Sequence, residues 1–395
     1  MSVRTPADAG HAPNANLVNP LASANLASSS FLYAELSQAL LNWYDASGRD
    51  LPWRRTQDAY AIWISEIMLQ QTQVKTVLPY YDRWLQQFPD VQTLAATAQQ
   101  TVLKAWEGLG YYARARNLHR ASQMIVERFN GEFPNNFDDA MSLPGIGRTT
   151  AGGILSSAFN LPLPIMDGNV KRVLARLIGL TVPPAKALDQ LWEISAQLVP
   201  TDNGRDFNQA FMDLGATICT PKNPACLLCP WRTSCQAYQH NQQTQLPISE
   251  RKKSLPHKTI GVVMITNNQG EILINQRPEQ GLLGGLWEFP SLEVPSGRST
   301  LNAIKKTIPQ NFGIRFKLPT AIIQIEHTYT HFKATFHVYQ ADLDIETETH
   351  RQTANSNGAA IEQRWIKLNQ LDQFPFPKSH LKMIQAFRAT MLPRD

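Results

Sequence analysis

Outside the stretch Cys219–Cys235 this 395-residue chain has no cysteine at all, and within it there are four. Disulfide staples of a secreted protein would be spread along the chain, so an extracellular disulfide scaffold is excluded. No apolar run reaches the roughly 18 residues of a membrane span. The first thirty residues (1 to 30) lack the basic start and apolar core of a secretory signal. Charged residues are scarce at 17% against 43% hydrophobic, which excludes a charge-rich disordered chain. Nor does one sign dominate: Lys+Arg against Asp+Glu is 19 to 19 up to residue 245 and 18 to 13 from 246 on, placing the whole +5 in the second part. That surplus permits a polyanionic partner without establishing one. The expectation is a soluble protein of a reducing, cytoplasmic compartment.

The length suggests two or three domains. Residues 1 to 30, rich in Ala, Ser, Asn and Pro without periodicity, read as a floppy tail. From Phe31 to Gln239 apolar residues recur at helical spacing, for example over Tyr60–Leu78, Thr101–Trp106, Arg114–Phe129 and Thr149–Phe159, predicting an all-helical domain over 31–239. Residues 240–257, with two prolines and the basic cluster Arg251, Lys252 and Lys253, have the composition of a linker. Beyond it the period changes to two. Thr259–Thr266, Glu271–Gln276, Ala321–Ile325 and Lys333–Tyr339 read as strands and Ser379–Thr390 as a closing helix, giving an α+β domain over 258–395. There is no internal repeat.

Four features carry chemistry. Cys219, Cys226, Cys229 and Cys235, spaced C-x6-C-x2-C-x5-C, bring together enough thiolates for one tetrahedral metal or one cubane cluster. Zinc is the rival, but its four-cysteine sites usually use two CxxC knuckles and only Cys226 and Cys229 form one here. Second, Leu143-Pro-Gly-Ile-Gly-Arg-Thr-Thr-Ala-Gly152 reads as a tight turn between a helix ending near Met141 and one starting near Arg148. Gly145 and Gly147 there allow unusual backbone and the second helix offers unpaired amides to a DNA phosphate, although an ordinary helix-helix turn has the same pattern. Third, Glu66 shares a helix face with Ile62, Trp63 and Leu69; desolvation there would raise its pKa and suit it to general-acid work, whereas a salt bridge is the plainer role. Fourth, in Ile165-Met-Asp-Gly-Asn-Val-Lys-Arg172, Asp167 precedes an amphipathic helix with Asn169 at the expected cap position. An N-cap role is the simple reading, and a carboxylate kept ionised by helix amides is the functional one. An acid and an anion with separated pKa values is the pattern that breaks glycosidic bonds.

In the order EIMLQQT, LPGIGRTTAG, MDGNVKRV and then the cysteine run, the chain resembles the helix-hairpin-helix DNA glycosylases of the endonuclease III superfamily, and within it the adenine DNA glycosylases of the MutY family. The resemblance covers Leu51 to Cys235 and continues into the C-terminal domain. It implies a [4Fe-4S] cluster on the four cysteines, Glu66 as the acid that protonates adenine, Asp167 as the anion that stabilises an oxocarbenium-like sugar, and Asn169 as an organiser of the site. It further implies that Trp53 and Arg54 accept the flipped base, that Gln70 and Gln71, on the helix of Glu66, probe the opened strand, and that Tyr111 wedges beside the lesion, where core packing is the alternative. Gly145, Gly147, Arg148 and Thr149 fall in the family's phosphate-binding hairpin. Glycosylases that also cut the strand carry a lysine just after the GxGR motif; Thr149 stands there, so release of the base without strand cleavage is implied.

The second domain resembles the Nudix-like domain that this family appends, with Gly284-Gly-Leu-Trp-Glu-Phe-Pro290 as its familiar segment. Residues 297–310, GRSTLNAIKKTIPQ, contain no acid. The magnesium-binding acid cluster of a Nudix hydrolase is therefore missing and recognition of 8-oxoguanine opposite adenine is the implied role. The family's Phe-Ser-His recognition loop is replaced by Tyr329, Thr330 and His331, in which Thr330 keeps a hydroxyl for the lesion. The partner implied is double-stranded DNA with adenine opposite 8-oxoguanine or guanine, bound by a monomer. Three rivals remain: a bifunctional pyrimidine-damage glycosylase, a non-enzymatic DNA-binding protein and a Nudix nucleotide hydrolase.

Overall fold

A computed structural model describes residues 26–249, 254–344 and 362–391. Most of the expected tail (1–25) and the basic cluster Arg251, Lys252 and Lys253 lie outside the described residues, but the rest of that tail is helix: α1 runs Leu26–Ser47. The chain forms two compact units that do not follow sequence order, one from Met1–Ile62 and Gly147–Glu250, the other from Trp63–Ile146 and Arg251–Asp395.

The first unit is helical. α1 packs with α10 (Leu188–Leu198) and α11 (Gly204–Asp213), and α11 packs in turn on α8 (Arg148–Phe159) and α9 (Gly168–Leu177). Leu40, Val170, Leu174, Leu191, Phe207 and Phe211 are fully buried in the shared core, and Trp231 of the cysteine loop closes it from the side. A π-helical turn, Leu214–Ile218, follows α11 and delivers the chain to Cys219.

In the second unit the segment expected as one helix, Tyr60–Leu78, is two: α2 (Ala59–Leu69) and α3 (Val74–Gln87). The break falls at Gln71, whose φ of 56° lies in the left-handed region. Gln70 and Gln71 thus sit in a turn beyond the helix of Glu66. The chain continues through α4 (Val91–Ala96), α5 (Gln99–Ala105), α6 (Ala113–Arg128) and α7 (Phe137–Ser142), with Trp84 and Trp106 edge to face at 5.4 Å inside.

The same unit contains a seven-stranded mixed sheet in the order β3-β2-β1-β6-β5, with β4 also on β1 and β7 on β2. Its strands are β1 (His257–Thr266), β2 (Glu271–Gln276), β3 (Trp287–Glu288), β4 (Ser291–Val294), β5 (Thr320–Thr328), β6 (Lys333–Asp342) and β7 (Gln363–Lys367). β1 pairs in parallel with β6 and the other pairings are antiparallel. Period-two alternation sends Val262 and Met264 to the face covered by α14 (Lys378–Met391), and Val263 and Ile265 to the face covered by α13 (Thr300–Phe312). Both faces being covered explains why β1 reads as an unbroken apolar run. α13, β3, β4 and β7 were not among the sequence expectations. Among the described residues no helix is long and apolar enough to cross a membrane.

Candidate active site and metal-binding loop

In the first unit Asp167, not the expected Asn169, caps α9: its Oδ1 accepts the amide of Val170 at 2.7 Å. Asn169 is the second residue of the helix and donates to Asp167 Oδ2 at 3.2 Å. Burial pushes the Asp167 carboxyl up, and the amides of Val170 and Asn169 with the charges of Arg172 and Lys171 offset this only in part. The amide donors expected at this carboxyl are therefore present, and burial outweighs their lowering effect.

The network continues along the helix. Arg172 donates to Asn169 Oδ1 at 2.9 Å, to the Gly215 carbonyl at 2.6 Å and to the Cys219 carbonyl at 2.8 Å. One turn on, the buried Arg176 reaches Cys219 Sγ at 3.3 Å and the Thr220 carbonyl at 2.7 Å. α9 thus carries the candidate anion at its first turn and two arginines that grip the cysteine loop. Gly215 is required for this approach, because a Cβ there would lie 2.5 Å from Asn169 Cβ. Sequence reading missed Arg172, Arg176 and Gly215; the helical spacing of the two arginines was the available signal.

All four cysteines are half-buried, and Cys219, Cys229 and Cys235 pack against the core of the first unit. Burial pushes the Cys229 thiol up to about 12, and the other three cysteines add to the rise. Burial also raises Cys226 and Cys235, with a further rise from Cys219 in the first and from Cys219 and Cys226 in the second. Among the described residues no group of three or more His, Cys, Asp or Glu side chains is arranged to hold a metal ion. The four cysteines nevertheless fall on one short loop beside the core of the first unit, and the raised thiols among them would be favoured in ionised form by a strongly cationic group.

Trp53 is buried in a short 3-10 turn, Pro52–Arg54. Arg54 is held in bidentate fashion by Asp213, with both nitrogens at 2.7 Å, and Arg49 donates to the same carboxylate at 2.7 Å. Burial alone would raise the Asp213 carboxyl, but hydrogen bonds from Arg54 and Arg49 outweigh it and hold it below the usual carboxylate range. Asp213 and Arg49, which orient Arg54, also escaped the sequence reading.

At the hairpin α7 ends at Ser142 and α8 starts at Arg148, as the pattern implies. Only Gly145 is in the left-handed region, with φ 84°; Gly147 has an ordinary φ of −100° and is the N-cap of α8 without any side-chain cap. Gly145, Gly147 and Arg148 are exposed and Thr149 is half-exposed, so the first amides of α8 are open to an anion. The Arg148 guanidinium lies over the Trp192 ring at 3.9 Å.

In the second unit Glu66 is the half-exposed member of a helical stretch in which Trp63, Ile64, Ser65, Ile67 and Met68 are all buried. The end of that helix is fastened by Arg114, another residue the sequence did not reveal. It reaches the carbonyls of Ile67, Met68 and Gln70 at 2.9, 2.8 and 2.7 Å, and those of Leu109 and Gly110 at 3.2 and 3.1 Å. Burial lowers its pKa to about 10, so it stays charged at neutral pH. Arg114 thereby ties the Gln70 turn to the loop that carries Tyr111, which is 44% exposed with a φ of 50°. Tyr111 is thus a surface side chain on strained backbone, and core packing does not explain it.

Tyr329, Thr330 and His331 form the turn between β5 and β6, closed by the Tyr329 amide donating to the Phe332 carbonyl at 2.8 Å. Thr330 is exposed and donates to the Tyr111 hydroxyl at 3.0 Å, so the expected wedge and the expected lesion reader meet. His331 is exposed. Tyr329 turns inward, stacked on Phe332 at 4.7 Å with its hydroxyl 3.1 Å from Ser379 Oγ. The Gly284–Pro290 segment is fixed by Arg116 on the Gly284 carbonyl at 2.7 Å and by Trp287, which donates to Gln100 at 3.0 Å.

The profile of the HhH-GPD superfamily of base excision DNA repair proteins matches residues 64–197, and that of the NUDIX domain matches residues 261–386. Curated relatives include the adenine DNA glycosylase of Buchnera aphidicola subsp. Schizaphis graminum (strain Sg), 36% identical over 355 residues that span 89% of this chain and 98% of the relative. The adenine DNA glycosylase of Homo sapiens is 37% identical over 369 residues, 78% of this chain and 67% of the relative. Among solved structures, a thermostable thymine-DNA glycosylase aligns with a TM-score of 0.50 at 28% identity, over 54% of this chain and 99% of its own.

Proposed function

Because the chain belongs to the adenine DNA glycosylases, hydrolases of N-glycosyl bonds in base excision repair, we propose that it excises adenine opposite 8-oxoguanine or guanine from double-stranded DNA and leaves the backbone intact. Residues 31–239 act as the glycosylase domain, 240–257 as a linker and 258–395 as the recognition domain. The protein works as a monomer in the cytoplasm, on the nucleoid if its host is bacterial.

The observation that carries the reading is Asp167. A helix cap needs no burial, yet this one holds its carboxyl where burial raises its pKa despite two amides and two nearby cations. Groups kept at such a cost are typical of functional sites. In the proposed reaction the hairpin glycines Gly145 and Gly147, with Arg148 and Thr149, receive backbone phosphate. Adenine flips out of the stack towards Trp53 and Arg54, while Gln70, Gln71 and Tyr111 fill and probe the opened strand. Glu66 donates a proton to adenine N7, turning a poor anionic leaving group into a neutral one. Asp167, oriented by Asn169, stabilises the sugar cation until water adds to it. Thr149 has no amine to form a Schiff base, so the product is an intact abasic strand. Thr330 and His331, with Tyr329 behind them, face the 8-oxoguanine.

Cys219, Cys226, Cys229 and Cys235 would hold one [4Fe-4S] cluster, a donor set supported by four half-buried thiols on one loop beside the helical core. When bound, the cluster supplies a structural charge centre that keeps the loop folded. Arg172 and Arg176 then fix α9, and with it Asp167, against that loop.

Single-turnover assays on duplexes with adenine opposite 8-oxoguanine, guanine or thymine, each split between alkali and no alkali, test this. Adenine-strand breaks are expected only after alkali and fastest opposite 8-oxoguanine. Breaks without alkali would instead indicate a lyase.

A further inference from the structure

We propose that Glu107 is a positioning residue: by fixing the segment 374–376 it holds Thr330 in register with Tyr111, and so sets the preference for 8-oxoguanine over guanine opposite adenine. The role in lesion preference rests on the proposed function. Glu107 stands just ahead of the loop that carries Tyr111, and its partner is 269 residues away in the chain.

Segment 374–376 joins the 3-10 turn Leu368–Gln373 to α14, and every backbone polar group in it is paired within the second unit. The Phe374 amide donates to the Leu371 carbonyl at 3.1 Å, and the Pro375 carbonyl accepts the Trp287 amide at 2.9 Å. The other three groups are held by side chains of α5, α6 and the turn between them. Glu107 Oε1 accepts the Phe376 amide at 2.8 Å, Lys104 donates to the Phe374 carbonyl at 3.1 Å, and the Tyr112 hydroxyl donates to the Phe376 carbonyl at 3.3 Å. Glu107 Oε2 in turn holds Lys104 Nζ at 2.6 Å, and its side chain is only 15% exposed. An ion pair in open solvent would contribute little, but both members of this one end on main-chain atoms of a single segment and fix its path. Phe376 is fully buried, so its amide has no water to turn to once Glu107 is gone.

From this tie the chain leads both ways to the turn and the loop that read the lesion. On one side Glu107 opens the loop 108–111, in which Gly108, Gly110 and Tyr111 have φ of 101°, 74° and 50°. The Tyr80 hydroxyl donates to the Glu107 carbonyl at 2.8 Å, and a Cβ on Gly108 would lie 2.3 Å from that hydroxyl, so the loop leaves from a fixed point. On the other side α14 begins at Lys378, and its Ser379 Oγ lies 3.1 Å from the Tyr329 hydroxyl. Thr330 follows directly and donates to the Tyr111 hydroxyl at 3.0 Å, which closes the circuit. The circuit passes through neither Glu66 nor Asp167. Opening it at Glu107 lets Thr330 shift against Tyr111, which blunts discrimination and leaves base release itself in place.

The test is single-turnover release of adenine opposite 8-oxoguanine and opposite guanine by the iron-replete full chain, read as the ratio of the two rates. Glu107→Ala is expected to lower this ratio about tenfold, on the scale of a small misplacement, with the rate opposite guanine kept within about threefold. Glu107→Gln, which retains an oxygen for the Phe376 amide, is expected to keep most of the ratio. Tyr112→Phe frees the Phe376 carbonyl instead and is expected to lower the ratio in the same direction, the double variant falling by less than the product of the two effects. Should Glu107→Ala not melt cooperatively, Tyr112→Phe carries the test alone. An unchanged ratio in either folded variant, or equal losses on both duplexes, would overturn the positioning role. A wild type without any preference for 8-oxoguanine would overturn the proposed specificity, and this role with it, before any variant is made.

Discussion

At Asp167 the capping of α9 and the charge needed for chemistry reside in one carboxyl group, and a single substitution separates them. Asparagine caps a helix about as well as aspartate, so Asp167→Asn keeps the bond to the Val170 amide and loses only the charge. Base release is expected to fall by about 10²–10³-fold, the scale of removing one electrostatic stabiliser. Stability is expected to hold or rise. The Asp167 pKa is raised in the folded protein, so the wild-type carboxylate costs stability above its folded pKa, and the cost vanishes below its unfolded value of about 4. Melting curves of the two proteins are therefore expected to differ most near neutrality, the variant being the more stable, and to converge in acid. A less stable variant at neutral pH would mean that the carboxylate is there for the fold. Sequence spacing located this helix start but assigned the cap two residues late, because MDGN offers two capping side chains and only the backbone decides between them.

At the scale of elements, the turn between α2 and α3 was invisible in the sequence. Apolar periodicity runs through it, and Gln71 adopts a left-handed conformation without the glycine that would have marked it. What holds the turn is distant in sequence: Arg114 supplies the carbonyls at the end of α2 with donors. Arg114→Met is expected to cost about 3 kcal/mol in urea unfolding, on the scale of lost charge-assisted hydrogen bonds, and to weaken duplex binding through both Gln70 and Tyr111. A change within about 0.5 kcal/mol would show the clamp to be dispensable. The hairpin, by contrast, was legible to within a residue at its helix ends, since Pro and Gly punctuate it, although only Gly145 takes the unusual backbone expected of both glycines. Its two glycines differ. Gly145→Ala meets a φ of 84° and the Asn117 side chain at 2.9 Å and is expected to lose about 1–2 kcal/mol. Gly147→Ala, with φ −100° and open space around it, is expected to leave stability within about 0.5 kcal/mol and to reduce only DNA affinity.

For the whole molecule, helix followed by strand was readable from the change of period, while the division into compact units was not, since it joins 63–146 to the C-terminal sheet through contacts such as Gln100 with Trp287. α13 escaped because Pro309 lies inside it. The cysteines were legible because the chain has no others. If they hold a cluster, the purified protein is yellow-brown with about four irons per chain. Removing the iron is then expected to lower the melting temperature and base release together, because α9 leans on that loop through Arg172 and Arg176. A colourless protein with stoichiometric zinc would contradict the cluster.

The most direct test of the account is the amount of free adenine released in a single turnover from a duplex with adenine opposite 8-oxoguanine, by wild type and by Glu66→Gln at matched occupancy. Rapid release by wild type and a loss of about 10²–10⁴-fold in the variant, the range of general-acid catalysis, are expected, with duplex binding kept. Equal release by both proteins, or none from an iron-replete wild type that binds the duplex, would contradict it.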